Sequence, residues 1–308
     1  MGLRVSLCYP GADPGPWLDG LRALLPGAHV TVWQAGADPA DYGVVWAPPQ
    51  QFFDEQNRLQ AVFNIGAGVD KLLQLRLPAG LKVVRLDDAG MAVQMAEYVC
   101  HALIRHYRAF EAYEQQARPG QWLPRAPRSR GDFPVGIMGM GVLGQRVAQA
   151  VQQFDFPVRG WSRAPRPVPG VTGFCGADAL DDFLVATRVL VCLLPLTPDT
   201  RNLVCRATLS RLQPGAFVIN VARGALLVED DLLAMIDSGH VAGAALDVFQ
   251  TEPLPPGHAF WTHPRIHVTP HVSAQTLQAD SLAQIAGKIL ALEQGQSVAG
   301  IVDLARGY

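Results

Sequence analysis

Short apolar segments alternate with helix-like segments along this chain of 308 residues, and that alternation limits the fold more than any other feature. Parallel strands need a crossover connection, usually a helix, so the pattern is typical of parallel α/β sheets. In a first lobe it predicts helices at 16–25 and 69–77 and strands at 3–9, 29–33, 42–47, 59–65 and 82–86. In a second lobe it predicts strands at 135–138, 158–161, 189–195, 217–222, 241–249 and 265–270.

Two further helical patterns frame the second lobe. A run without glycine or proline at 91–116 predicts one long helix, and a connector at 118–134 with four prolines follows it. A pattern at 274–295 predicts a C-terminal helix that packs back on the first lobe.

The charge balance argues against two classes of partner. With a formal net charge of −2 and 17% charged residues, the chain has no electrostatic basis for binding nucleic acid or an anionic membrane. No window reaches the roughly 18 apolar residues of a spanning helix, and the N-terminal stretch is more typical of a strand than of a signal peptide. The five cysteines form no CxxC pair, which favours a reducing compartment and no metal site. We therefore expect a cytoplasmic protein.

A glycine-rich stretch, VGIMGMGVLG, places Gly139, Gly141 and Gly144 in GxGxxG spacing between a predicted strand and a predicted helix. The first glycine permits a tight turn, the second lets the backbone approach a diphosphate, and the third allows helix and strand to pack closely. The diphosphate would rest on the N-terminus of the helix, where Val142 and Leu143 lie. The stretch therefore predicts a dinucleotide-binding site.

The strand after this loop lacks the acid that usually binds a ribose 2′-hydroxyl. Its end carries Ser162 and Arg163, with Arg166 close by, and the nearest acid, Asp155, precedes the strand. Guanidinium groups bind phosphate through paired N–H donors, so the pattern favours NADPH, with NADH as a weaker ligand. A solvated basic loop is the alternative interpretation.

Three polar residues follow predicted strands of the second lobe: Arg223, Glu252 and His271. The carboxyl ends of parallel strands meet at one edge of a sheet, where ligands bind. A guanidinium, a carboxylate and an imidazole can act there as an anion clamp, an orienting group and a proton donor. Each also has a structural interpretation, as an edge arginine, a solvated glutamate and a helix-capping histidine.

Six stretches around these residues together carry a resemblance to a known family: NIGAGVD, GIMGMGVLG, LLPLTPDT, INVARGALLVEDDLL, ALDVFQTEPLP and TPHVSA. In them the chain resembles the D-isomer-specific 2-hydroxyacid dehydrogenases. The stretches VDLARGY, VVWAPP and WSR indicate the glyoxylate/hydroxypyruvate reductase subgroup.

The resemblance implies an α/β fold with two doubly wound parallel-sheet lobes and an active-site cleft between them. Residues 1–97 and 272–308 would form a flavodoxin-like substrate domain, and residues 98–271 a Rossmann NAD(P)-binding domain. It also implies a homodimer, in which Trp122 of the connector is a candidate to reach the partner's site.

The resemblance also assigns chemical roles. Arg223 would bind the substrate carboxylate and polarise the keto oxygen, His271 would donate a proton to that oxygen, and Glu252 would hydrogen-bond the imidazole and favour its protonated form.

Further roles concern the pocket and the cofactor. Trp46 would wall the substrate pocket, although packing in the core is an equal interpretation. Gly66, Ala67 and Gly68 would form a nest of backbone N–H groups that binds the carboxylate. The alternative interpretation of these residues is a plain strand-to-helix turn. Asp247 would meet the nicotinamide carboxamide. Other cofactor contacts are implied for Leu194, Pro195, Val221 and Ala222.

The expected function is NADPH-dependent reduction of a small 2-oxo acid, glyoxylate to glycolate or hydroxypyruvate to D-glycerate. A D-2-hydroxyacid dehydrogenase of broader specificity is one alternative. A dinucleotide-sensing binding protein without significant turnover is an alternative of another class, because corepressors of the family retain the same three polar residues.

Overall fold

The computed structural model describes residues 2–307. The strands are β1 (Arg4–Cys8), β2 (His29–Val32), β3 (Tyr42–Val45), β4 (Ala61–Asn64), β5 (Lys82–Val84), β6 (Val135–Met138), β7 (Val158–Ser162), β8 (Val171–Cys175), β9 (Val189–Cys192), β10 (Ala216–Asn220), β11 (Val241–Leu246) and β12 (Ile266–Val268). The helices are α1 (Gly15–Leu24), α2 (Gln50–Glu55), α3 (Met91–Tyr107), α4 (Phe110–Ala117), α5 (Val142–Gln152), α6 (Leu180–Val185), α7 (Arg206–Leu209), α8 (Glu229–Asp237) and α9 (Gln278–Glu293).

The chain forms two compact units. The first comprises Met1–Met91 and Thr276–Tyr308, and the second comprises Ala92–Gln275. The chain leaves the first unit where α3 begins, because that helix packs on the sheet of the second unit. The predicted domain boundaries, after residue 97 and after residue 271, stay predictions.

The first unit contains a parallel sheet in the order β2-β1-β3-β4-β5. This is the flavodoxin-like order, so the predicted architecture is confirmed. Every residue of β3 and β4 is buried, which explains why these strands are continuous apolar runs rather than alternating ones. Helices α1 and α9 pack on each other in this unit, as predicted for the C-terminal helix.

The second unit contains a parallel sheet in the order β12-β11-β10-β9-β6-β7-β8. From β8 onward this is the strand order of a Rossmann fold with one further strand, as predicted. Alternate residues of β9 face opposite sides: Val189 and Val191 pack with α3 and α5, whereas Leu190 and Cys192 pack with α6 and α8. The strand order reverses between β6 and β9, at the point where ligands bind in such sheets.

Two predicted helices differ from the structure. The pattern at 69–77 gives only a short 3-10 turn at Leu72–Gln74, because Leu75 is extended and Pro78 disfavours helical backbone just before it. The pattern at 91–116 is interrupted at Ala109, which adopts a left-handed φ of 52°. The bend lets both guanidinium Nη atoms of Arg105 bind the carboxylate of Glu114, at 2.5 and 2.6 Å. Nine positions apart on one continuous helix, these side chains would lie on opposite faces.

Two elements were not predicted. Strand β8 is an edge strand with mostly exposed side chains, so it lacks the apolar pattern by which strands are recognised. Helix α2 is only six residues long and buries two adjacent phenylalanines, which is too short for a helical period to show. No helix within residues 2–307 is long and apolar enough to cross a membrane.

Candidate active site

The glycine loop connects β6 to α5 at the point where the strand order reverses. Gly139 has a φ of 107°, and a Cβ there would lie 2.6 Å from the carbonyl oxygen of Leu193. A Cβ on Gly144 would lie 1.9 Å from the carbonyl oxygen of Gly139, so helix and loop pack too closely for a side chain. A Cβ on Gly141 would meet nothing within 4 Å. Two glycines are thus required by the fold, and Gly141 faces open space.

Helix α5 begins directly after Gly141, with Val142 and Leu143 in its first turn. The first N–H groups of a helix have no partner within the helix, and the helix dipole favours an anion there. The loop therefore fits the diphosphate of a dinucleotide, as the spacing of the glycines predicts.

The end of β7 carries the residues predicted to select the cofactor. Ser162 donates a hydrogen bond from Oγ to the carbonyl oxygen of Ala164 at 2.7 Å, which fixes a tight turn. Arg163 and Arg166 follow in this turn and are exposed, and no acid occurs between Phe156 and Ala177. The turn therefore offers guanidinium groups and no carboxylate to a charged ribose substituent.

The apolar wall predicted for the cofactor follows β9 and β10, the strands next to β6. Leu194 and Pro195 are half-buried after β9, and Val221 and Ala222 are buried after β10. Their placement beyond the carboxyl ends of these strands suits backbone and apolar contacts with a dinucleotide.

Arg223 is held in place by its neighbours. Asn220, the last residue of β10, is fully buried, and its Nδ2 donates to the carbonyl oxygen of Arg223 at 3.1 Å while its Oδ1 accepts from Ala222 N. Arg223 itself donates from Nη1 to the carbonyl oxygen of Ala222 at 2.7 Å. These bonds fix the backbone from which the guanidinium extends.

Gly224 brings the segment after β10 against the segment after β11. A Cβ on Gly224 would lie 1.8 Å from the carbonyl carbon of Phe249, so only glycine allows this approach. Phe249 in turn donates from its backbone N to Oε1 of Glu252 at 3.0 Å. The segments carrying Arg223 and Glu252 therefore pack directly on each other.

Glu252 and His271 form the pair that the sequence predicts. His271 Nδ1 lies 2.9 Å from Oε2 of Glu252, and the other carboxylate oxygen is the one fixed by Phe249. The side chain of His271 is 46% exposed and that of Glu252 is 32% exposed, so the pair is open to solvent or a ligand. A carboxylate at Nδ1 holds a hydrogen on that nitrogen and leaves Nε2 as the atom that exchanges a proton with a ligand.

Asp247 is a fully buried carboxylate that holds the turn containing His271. Its Oδ1 accepts from Thr269 Oγ1 at 2.6 Å and from Val272 N at 2.8 Å, and its Oδ2 accepts from Ser273 N at 2.8 Å. This internal role was not foreseen. The predicted contact of Asp247 with the nicotinamide carboxamide stays a prediction.

The predicted carboxylate nest lies in the first unit, after β4. Asn64 ends that strand, is buried, and donates from Nδ2 to the carbonyl oxygens of Gly66 and Gly68 at 3.0 and 2.9 Å. Within residues 2–307 the N–H groups of Gly66, Ala67 and Gly68 donate to no backbone or side-chain acceptor. Asn64 thus holds the carbonyls of Gly66 and Gly68, and the predicted role of this loop as an anion nest stays a prediction.

Trp46 packs over this loop. A Cβ on Gly66 would lie 2.7 Å from Cζ3 of the indole, so glycine is required beneath the ring. The indole is 44% exposed, which places it at the surface of the first unit rather than in its core. Trp122 is 95% exposed, and its predicted role toward a partner subunit stays a prediction.

Sequence reasoning missed the residues that support this site. Asn64 and Asn220 each end an apolar strand immediately before a predicted ligand-binding segment, and a polar residue at that position is the signal that reveals them. Thr269 and Tyr98 leave no such signal, because their contact joins the residue after β12 to α3 across a large separation in sequence. Among the described residues no cluster of three metal-binding side chains occurs.

Comparison with known proteins gives consistent results. The model of the D-isomer specific 2-hydroxyacid dehydrogenase, NAD binding domain, matches residues 100–273. Glyoxylate/hydroxypyruvate reductase A of Serratia proteamaculans (strain 568) is 45% identical over 313 residues, which cover 99% of this chain and 100% of the relative.

Two solved structures are similar over their whole length. A D-isomer specific 2-hydroxyacid dehydrogenase from Xanthobacter autotrophicus Py2 in complex with NADPH and MES superposes with a TM-score of 0.94 at 37% identity, covering 100% of both chains. An NADPH-dependent glyoxylate/hydroxypyruvate reductase from Sinorhizobium meliloti, in complex with NADP and sulfate, has a TM-score of 0.92 at 36% identity, covering 99% of this chain and 100% of that one.

Proposed function

The chain belongs to the D-isomer-specific 2-hydroxyacid dehydrogenase family, and we propose that it is an NADPH-dependent reductase of glyoxylate and hydroxypyruvate. The products are glycolate and D-glycerate. The observation that carries the proposal is the pair of Glu252 and His271, in which Nδ1 is held by a fixed carboxylate and Nε2 is left for the substrate.

The reaction adds a hydride and a proton across a carbonyl group, and NADPH supplies the hydride when it is bound. The guanidinium of Arg223 binds the substrate carboxylate and polarises the keto oxygen. His271 Nε2–H transfers its proton to that oxygen as the new C–H bond forms. The carbonyl carbon thus gains a hydride with its two electrons, and the carbonyl oxygen gains one proton. Glu252 stabilises the imidazolium until the proton leaves.

NADPH is the cofactor. The turn after β7 supports this choice, because Arg163 and Arg166 stand where NAD-dependent enzymes have an acid. Both similar structures described above contain the phosphorylated dinucleotide. NADH is accepted more weakly, since it offers no phosphate to the guanidinium groups.

The substrate is a small 2-oxo acid. The N–H groups of Gly66, Ala67 and Gly68 bind its carboxylate, and Trp46 limits the size of the group on the other side of the carbonyl. A 2-oxo acid of two or three carbons satisfies both requirements. A methylene more or less in such a pocket changes preference by only about 1–3 kcal/mol, so glyoxylate and hydroxypyruvate are both accepted.

The protein acts as a cytoplasmic homodimer with Trp122 directed toward the partner's site. All five cysteines are free thiols, which supports a reducing compartment. The exposed apolar side chains of Trp122 and Leu123, which form a pair in the connector, support an interaction of this segment with a second copy.

Turnover by the purified protein tests the proposal. Oxidation of NADPH, followed by near-ultraviolet absorbance, is expected with glyoxylate and hydroxypyruvate and is expected to be slower with pyruvate and phenylpyruvate. Replacement of NADPH by NADH should lower kcat/KM. His271→Ala should abolish turnover while the Kd for NADPH changes little.

Three outcomes would contradict parts of the proposal. Equal or faster turnover with NADH excludes the assigned role of the arginines. Preference for the larger acids indicates the broader dehydrogenase. Tight binding of NADPH without turnover of any 2-oxo acid indicates a dinucleotide-sensing protein instead of an enzyme.

A further inference from the structure

The turn that carries His271 is built around one buried carboxylate. Besides the three side-chain bonds of Asp247 described above, its backbone carbonyl oxygen accepts a bond from His271 N at 2.8 Å. A buried carboxylate is stable only when its oxygens are hydrogen-bonded, and here every donor comes from the segment 269–273. The carboxylate and the turn therefore stabilise each other.

Thr269 also contacts helix α3. Its Oγ1 lies 2.7 Å from the hydroxyl oxygen of Tyr98, and either atom alone could be the donor of that bond. A threonine hydroxyl has one hydrogen, and Thr269 donates it to Asp247. Tyr98 must then be the donor, which gives a directed chain from Tyr98 to Thr269 to Asp247.

The backbone of His271 needs this support. Its φ is 57°, a left-handed conformation that few non-glycine residues adopt and that surrounding contacts must stabilise. The conformation matters for the chemistry, because it directs the imidazole to Glu252 at 2.9 Å. If the turn relaxed to an ordinary φ, the ring would leave that position.

We propose that Thr269 and Tyr98 are positioning residues for the proton donor: through Asp247 they hold the turn that keeps His271 on Glu252. Among residues 2–307 the imidazole is hydrogen-bonded to Glu252 and to neither hydroxyl, so Thr269 and Tyr98 act through the backbone of residues 271–273. The inference rests on the proposed function of His271 and adds two residues to its mechanism.

Three variants test these hydrogen bonds. The first is Thr269→Val, which keeps the shape of the side chain and removes the hydroxyl. We expect kcat to fall between about 10- and 100-fold, because a displaced catalytic group loses rate steeply, while the KM for glyoxylate and the Kd for NADPH change less than about 2-fold. Thr269→Ser keeps the hydroxyl and should restore kcat to within about 3-fold of the unmodified protein. Tyr98→Phe removes only the outer donor and should lower kcat by about 3-fold.

Tyr107→Phe is the matched control. Tyr107 lies on the same helix and donates its buried hydroxyl to the carbonyl oxygen of Arg128 at 2.6 Å, away from the turn. It should lower the melting temperature about as much as Tyr98→Phe does and leave kcat unchanged. Equal losses of kcat in both tyrosine variants would show a general structural effect and overturn the role of Tyr98.

A second measurement does not depend on turnover. Hydrogen exchange of the amides of Val272 and Ser273, followed by mass spectrometry, should be faster by about 10-fold or more in Thr269→Val and close to the unmodified rate in Thr269→Ser. Unchanged exchange and unchanged kcat in Thr269→Val would overturn the inference. If the unmodified protein has no activity, the proposed function fails. The exchange rates still decide whether the hydrogen bonds from Tyr98 through Thr269 to Asp247 hold the turn.

Discussion

At the scale of single residues, Gly141 allows binding of the cofactor to be tested without a change in the fold. Because a Cβ there meets nothing within 4 Å and its φ is −73°, Gly141→Ala should fold normally. The added methyl group would occupy the space of the diphosphate, so the Kd for NADPH should rise by about 10-fold or more. Fluorescence titration with NADPH measures the Kd, and thermal unfolding checks the fold.

Gly257→Ala is the control for this prediction. Gly257 also has open space around its Cβ position and lies in an exposed loop. It should change neither the melting temperature nor the Kd. An unchanged Kd in Gly141→Ala would mean that the diphosphate does not approach this glycine.

Asn64 provides a second test at this scale. Asn64→Asp removes the amide that donates to the carbonyls of Gly66 and Gly68 and faces them with a carboxylate. The nest should open, and the KM for glyoxylate should rise by about 10-fold, while the Kd for NADPH stays within about 2-fold. Asn57→Asp makes the same change of charge at an exposed position of the same unit and should leave the KM unchanged. An equal rise of the KM for glyoxylate in both variants would show that the added negative charge, and not the loss of the Asn64 amide, causes the effect.

The individual site residues differ in how far the sequence reveals them. Arg223, Glu252 and His271 are predictable because each follows a strand whose carboxyl end faces the ligand edge of the sheet. The supporting bonds are not, since the partner of Asp247 is a turn whose conformation depends on the left-handed φ of His271. The residue type does not indicate that a non-glycine residue such as His271 adopts a left-handed φ.

At the scale of elements, the packed pair of α1 and α9 contains two glycines with opposite roles. A Cβ on Gly20 of α1 would lie 2.3 Å from Cδ1 of Leu282 on α9, whereas a Cβ on Gly287 of α9 would meet nothing within 4 Å. Gly287→Ala should stabilise the helix by about 0.5–1 kcal/mol and raise the melting temperature by about 1–3 °C.

Gly20→Ala makes the same substitution on the partner helix. It gains the same helix propensity but forces Leu282 to move, so the melting temperature should fall. Differential scanning calorimetry of both variants checks the pair. A rise in both variants would show that α9 shifts freely on α1.

The elements themselves were predicted to different degrees, and the reason is burial. Strands such as β9 and β10 have every residue buried, which produces apolar runs that are visible in the sequence. The bend between α3 and α4 has no glycine or proline to mark it, because the ion pair of Arg105 and Glu114 stabilises it from outside the local sequence. Local patterns show the core, and they do not show tertiary contacts of this kind.

At the scale of the whole molecule, His106 makes stability depend on pH. Burial, together with the smaller effect of the positive charges of Arg128, Arg188 and His267, lowers the pKa of His106 to about 4. The imidazole is half-buried and stacks on Phe217 with ring centroids 4.2 Å apart. Its cavity of about 270 Å³ is also lined by Tyr98, His101, Arg105 and Glu111.

The sign of the effect follows from the two protonation states. Above a pH of about 6.5, the pKa of an unperturbed histidine, His106 is neutral in both folded and unfolded chains and stability is unaffected. Between about 6.5 and 4 the unfolded chain binds a proton that the folded chain excludes, so stability is lost as the pH falls, by about 3 kcal/mol in total.

His106→Gln removes this proton site and should flatten the fall in stability between pH 6.5 and 4. Urea unfolding at a series of pH values measures the free energy of unfolding for the variant and the unmodified protein. His29→Gln replaces an exposed histidine of the first unit, outside this cavity, and the fall in stability between pH 6.5 and 4 should remain in this control variant. Parallel curves for His106→Gln and the unmodified protein would place the acid sensitivity elsewhere. A steeper loss of stability in the unmodified protein than in His106→Gln would assign the acid sensitivity to His106.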